Sequence, residues 1–191
     1  MKAIYYIIQW TWGIIMTFIG FVVFCISKIF KKETYKYRNN ICIVSKKLAG
    51  GVDLGMFFMR GENDENICPH EDGHGIQNLW WGPLFPFVIA IPSMIRYWLR
   101  LSKDKVKFTK TLFAIIIIIN CLILPLFLIS PIITYIQIVF LIYSAILEYW
   151  LFKIEIPKYD NGARVPYDEI WFEGQATQLG ETAETGKWKW L

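Results

Sequence analysis

His70-Glu71-Asp72-Gly73-His74 is an H-E-x-x-H string, and it holds the only two histidines of the chain. On a helix, residues i and i+4 lie on one face. The two imidazoles can therefore bind one Zn2+ ion while Glu71 beside them acts as general base. A helix over about 69–80 provides that face. Pro69 suits a first turn, the polar loop from Glu62 to Asn66 can cap it, and Gln77 joins His70 and His74 on one side by i+4 and i+3 steps. Gly73 costs such a helix roughly 1 kcal/mol relative to alanine, which predicts that something packs close to the backbone there.

A catalytic zinc takes three protein ligands and keeps one position open. With no third histidine, the remaining ligand is a carboxylate or Cys68, which lies two residues before His70. A helix over about 167–180 carries a candidate, Glu173-x-x-Ala176, in an apolar, small-residue run. H-E-x-x-H with a distant E-x-x-A resembles the gluzincin-type zinc metallopeptidases, including their membrane-embedded members. The longer string His70-Glu71-x-Gly73-His74-x-x-Gln77, followed by Gly82-Pro83 and Pro92-Ser93, also resembles a group of small bacterial membrane proteins. The likeness covers residues 70–93 and 173–177. It implies that His70, His74 and Glu173 are the metal ligands, that Glu71 is catalytic, and that peptide bonds are hydrolysed. Thr177 stands where that family has an aspartate orienting a zinc-bound histidine. Threonine can accept the same hydrogen bond without bringing charge, and Asp168 or Glu169 upstream can substitute. Tyr167 and Arg164, shortly before Glu173, are candidate donors to an oxyanion by their place in the sequence alone.

The elements that must hold these residues are apolar. The chain is one domain's worth at 191 residues, and 55% hydrophobic residues with a mean hydropathy of +0.37 is too apolar for a soluble domain of that size. The expected fold class is mainly α and integral to a membrane, forming a single membrane-embedded domain over 1–191. Three transmembrane helices, over about 3–30, 111–130 and 132–152, each reach the ~20 residues that a bilayer crossing needs. The first is too long for a signal-peptide core and reads as an uncleaved anchor. A fourth apolar stretch, about 80–99, is broken by Gly82, Pro83, Pro86 and Pro92 and reads as re-entrant or kinked. Residues 41–60 read as a short β-hairpin turning at Gly50-Gly51, just before the H-E-x-x-H helix. Zinc peptidases use a strand pair in that position to hold an extended substrate. Asn120 is expected to hydrogen-bond another helix. Glu148 and the tryptophans beside the apolar runs read as interfacial, and the tail Gly186 to Leu191 as lying on the membrane surface. Cys25, Cys42, Cys68 and Cys121 show no C-x-x-C spacing and read as free thiols in a reducing compartment.

Charge sets the orientation. Apart from Lys2, the basic residues fall in three places: Lys28 to Arg60, Arg96 to Lys110, and Lys153 onward. The turn at Ser130-Pro131 has none. The positive-inside rule then puts all three regions in the cytoplasm, with the turn outside. If segment 80–99 enters the membrane and returns, His70 and Glu173 share one side. The net charge of +4, placed at membrane flanks, points to lipid headgroups and excludes nucleic acid as the natural partner. The expected activity is that of a zinc-dependent membrane metallopeptidase acting on protein or peptide substrates at the cytoplasmic face of a bacterial inner membrane. The alternative is an inactive zinc-binding membrane protein with a structural or interaction role. Spans nearly bare of polar residues disfavour a transporter.

Overall fold

The computed structural model describes residues 2–123, 131–160 and 165–184. Arg164, Ser130, the end of the expected 111–130 span and the basic tail lie outside the described residues. The chain gathers into two compact units, Met1–Ser93 with Tyr167–Leu191, and Met94–Pro166. The fold is mainly helical with one small mixed sheet.

In the first unit, helices α1 (Lys2–Thr11) and α2 (Ile14–Ile29) replace the single span expected over 3–30, and they bend by 95° at Trp12-Gly13. The kink has a polar cause. Asn78 donates from Nδ2 to the Gly13 carbonyl and to Gln9 Oε1, and a Cβ at Gly13 would fall 2.6 Å from that amide nitrogen.

Four strands follow: β1 (Thr34–Tyr37), β2 (Asn40–Ser45), β3 (Gly51–Leu54) and β4 (Phe57–Gly61), in the order β1-β2-β4-β3. The expected hairpin turning at Gly50-Gly51 is corrected here, because β2 and β4 run parallel. The antiparallel turn falls instead at Gly55-Met56, where Leu54 faces Phe57 and Gly55 takes a φ of 75°. Glycine at the first central position of a two-residue loop is what a type II′ hairpin requires. Gly50 and Gly51 serve a different purpose. Gly50 N–H donates to Asp64 Oδ2, and Gly51 lies so close to Glu71 that a Cβ would fall 2.3 Å from its carboxylate oxygen. Cys42, Ile43, Phe57 and Phe58 on the two central strands are fully buried, as the inner strands of a covered sheet should be.

Helix α3 (Cys68–Trp81) agrees with the expected 69–80 to within one residue at each end. The loop before it supplies no side-chain cap, since Asp64 is turned back to Gly50. The backbone then passes through a 3-10 turn, Gly82–Leu84, and a π-helical turn, Pro86–Ala90, into α4 (Ile91–Leu101). Between the runs Glu65–Leu84 and Pro86–Leu101 it bends by 114°, which is the kink that glycine and proline in 82–92 predict.

The second unit contains α5 (Lys105–Ile123), α6 (Pro131–Trp150) and α7 (Ile156–Asp160), the last two joined by a π-helical turn at Leu151–Glu155. Arg96 and Glu155 form an ion pair within it, both fully buried. Among the described residues, Asn120 donates to the Ile116 carbonyl of its own helix, since a side-chain amide readily reaches back one turn. Among the described residues, only the run Ile132–Tyr159 is long and apolar enough by itself to cross a membrane; the count is up to three if each bent pair is one span.

The last element, α8 (Trp171–Glu184), returns to the first unit behind a 3-10 turn, Tyr167–Glu169, and packs on α3. Small residues set their separation. A Cβ on Gly73 would stand 1.9 Å from the Ala176 carbonyl oxygen, and one on Gly180 would stand 1.8 Å from that of Pro69. This is the close approach that the cost of Gly73 in a helix predicts.

Candidate metal centre

Three atoms converge where α3 meets α8. Nε2 of His70 and Nε2 of His74 are 3.1 Å apart, and Oε2 of Glu173 lies 3.2 Å from the first and 3.1 Å from the second. Glu173 is fully buried and His74 nearly so. The group could hold a metal ion.

Hydrogen bonding fixes what these nitrogens offer. Gln77 donates from Nε2 to the Phe172 carbonyl, which can only accept, so its Oε1 is the atom that faces His74 Nδ1 at 2.8 Å. A carbonyl oxygen only accepts, hence His74 carries its proton on Nδ1 and, when neutral, aims the Nε2 lone pair into the cluster. His70 Nδ1 lies 2.8 Å from Thr177 Oγ1, which serves it the same way when the hydroxyl accepts. Thr177 thus stands behind His70 at the position where the resemblance expects an aspartate. Two imidazole lone pairs and a carboxylate oxygen at about 3.1 Å repel one another unless a cation or a proton lies among them. The other carboxylate oxygen, Glu173 Oε1, is buried with no hydrogen bond of ordinary geometry among the described residues.

The donor set fits a tetrahedral divalent ion. Ligands held at roughly 2.0–2.1 Å from such an ion stand about 3.3 Å apart, close to the observed spacing, and two imidazoles with one carboxylate are a recurrent catalytic set. The electrostatics agree. Burial alone would lower the His74 pKa, but Glu173 above all, with Glu71 and Asp53, outweighs it and brings it up to about 9. Burial would raise the Glu173 carboxyl, yet the hydrogen bonds from His70 and His74 hold it far below the ordinary carboxylate range. The cluster attracts positive charge, and a divalent ion there would compete with a proton for it.

Glu71 shares α3 and is 3% exposed. Burial pushes its pKa up, while His74 and His70 pull it back. Gly51 on β3 leaves room for that carboxylate. Tyr167 places its ring 5.8 Å from that of His70 and its hydroxyl 3.3 Å from Ser93 Oγ. Cys68, the open alternative for third ligand, is buried beside Tyr35, with Sγ 3.5 Å from the hydroxyl, and is not one of the three convergent groups.

Several positioning residues escape the sequence pattern. Arg38 takes a positive φ of 52° in the β1–β2 turn, pairs with Asp72 at 2.6 Å and donates to the Gly180 carbonyl at 3.1 Å, thereby tying α3 to α8. Asn40 donates to the other Asp72 oxygen and accepts from the Tyr5 hydroxyl. Gln9 adds a bond to the Gly75 carbonyl. Tyr5 and Gln9, four residues apart in an otherwise apolar segment, are the one sequence signal that could have revealed this contact. No family model, curated protein or solved structure matches the chain.

Proposed function

We propose that the protein is a zinc-dependent membrane metallopeptidase of gluzincin type, cutting protein or peptide substrates at the cytoplasmic face of a bacterial inner membrane. The observation that carries this reading is the convergence of His70, His74 and Glu173 with their hydrogen-bonded partners, next to the buried Glu71. When bound, zinc supplies a Lewis acid that polarises a carbonyl and acidifies water. Glu71 takes the proton of the attacking water and gives it to the leaving amine. Strand β3 is an edge of the sheet, and its Gly51 passes the Glu71 carboxylate. An extended peptide added to that edge would lie along the site.

The membrane assignment is supported by the run Ile132–Tyr159 and by broad exposed apolar faces. Ile132, Tyr135, Val139 and Ile146 on α6, and Phe18, Ile19 and Ile26 on α2, are all more than 40% exposed, more than a soluble surface tolerates in contiguous patches. Thr177, uncharged where the family has aspartate, favours the second reading, an inactive zinc-binding protein with a structural or interaction role.

One experiment separates the two. The protein in proteoliposomes is given a quenched-fluorescent peptide library, wild type beside Glu71→Gln. Zinc-dependent cleavage lost in Glu71→Gln, with zinc retained, supports the peptidase. Absence of cleavage by zinc-loaded wild type, or cleavage unaffected by Glu71→Gln, overturns it.

A further inference from the structure

We propose that the groove between α2 and β1 binds one anionic phospholipid, a reading that rests on the membrane assignment above. The groove has a volume of about 440 Å3, within the range of small-molecule sites. Its floor is apolar, from Tyr6, Phe24, Ile41 and Met56, and Lys28 and Lys36 line it as well. Lys28 lies in the last turn of α2, where its ammonium stands 5.4 Å from the Phe24 ring centroid. A lysine held in that way keeps its charge at headgroup depth while its methylenes cover apolar surface.

The occupant follows from charge and continuity. Phe18, Phe21 and Ile26 present an exposed apolar surface along α2, which the membrane reading places among acyl chains. Lys31 and Lys32 follow directly after the helix, so the end of α2 at the groove is basic. An acyl chain suits the floor and a phosphate suits the lysines. A soluble anion has no use for the floor, and a neutral lipid has none for the lysines. Each lysine near an anionic headgroup is worth about fivefold in binding, so two give about 25-fold preference over a zwitterionic lipid.

Native mass spectrometry of the full chain in mild detergent, with equimolar phosphatidylglycerol and phosphatidylcholine added, reads this directly. Wild type is expected to retain one phosphatidylglycerol with about 25-fold preference. Lys28→Gln with Lys36→Gln should bring the preference near unity, while Met56→Trp, which fills the floor, should reduce retention of both lipids. Equal retention of the two by wild type, an unchanged preference in the double lysine variant, or a peptide retained in place of lipid overturns the proposal. Carbonate washing of wild-type membranes keeps the two claims apart. A chain that stays in the membrane without headgroup preference refutes the groove alone, and a chain that washes off refutes both.

Discussion

Gly73→Ala sets two effects of opposite sign against each other. In a free helix, alanine gains roughly 1 kcal/mol over glycine, and on propensity alone the variant should be the more stable protein. In the fold, the added Cβ would sit 1.9 Å from the Ala176 carbonyl oxygen, where ordinary contact begins at 3.4 Å. The obstacle is backbone and cannot swing aside, so α3 and α8 must part by about 1.5 Å. Overpacking of this kind costs about 1–3 kcal/mol, leaving a net loss of about 1 kcal/mol and a melting temperature lower by about 2–4 °C. The effect on the site is larger than the effect on the fold. Gly73 lies between His70 and His74, and Ala176 is one turn from Glu173, so the opening falls within the ligand triangle. A shift of 1.5 Å is several times the tolerance of about 0.5 Å that such constellations have. Zinc affinity, measured by competition with a chromophoric chelator, should fall at least as far as when a partner behind a ligand is removed, roughly 10–100-fold. A variant that melts higher than wild type and binds zinc equally well would refute the close approach of the two helices.

Other perturbations follow from the same contacts. Gln77→Met removes the acceptor that sets the His74 tautomer, and should cost roughly 10–100-fold in zinc affinity; an affinity equal to that of wild type would exclude the tautomer argument. Arg38→Ala leaves the buried Asp72 carboxylate without its ion-pair partner and should destabilise by about 3 kcal/mol. Adding Asp72→Asn should recover part of that loss in denaturant unfolding, and strict additivity would argue against the pair. Burial pushes the Asp53 carboxyl well above its ordinary range. Its contribution to stability is therefore fully present below an unfolded pKa of about 4 and declines as pH rises toward the folded value, by about 1.4 kcal/mol per unit. Wild type should lose stability relative to Asp53→Asn as pH is raised above about 4, and parallel pH–stability curves would show that Asp53 ionises freely in the fold.

The chemistry of this chain is more legible in its sequence than its shape. H-E-x-x-H spacing and the distant E-x-x-A locate all three convergent groups, because helical periodicity puts His70, His74 and Gln77 on one face whatever surrounds them. Gly73 announces a close neighbour but cannot name Ala176, since that contact joins residues far apart in the chain. The sheet is harder to read. Gly50-Gly51 looks like a turn, and only the packing of β3 on α3 shows that the glycines make room for Glu71 and a backbone bond to Asp64. The kink in 3–30 is hidden for a related reason, because Gly13 becomes a break only where Asn78 reaches its carbonyl. Composition reports the apolar surface of α1 and α2 but not how the chain bends within it.

Metal content of the purified, detergent-solubilised protein tests the central claim most directly, with wild type compared to His74→Ala, Glu173→Ala and Cys68→Ala. The His70/His74/Glu173 centre predicts one zinc per chain in wild type and Cys68→Ala, and none in the other two. Wild type that takes up no metal even when zinc is supplied, or Glu173→Ala that keeps its full complement, would contradict it.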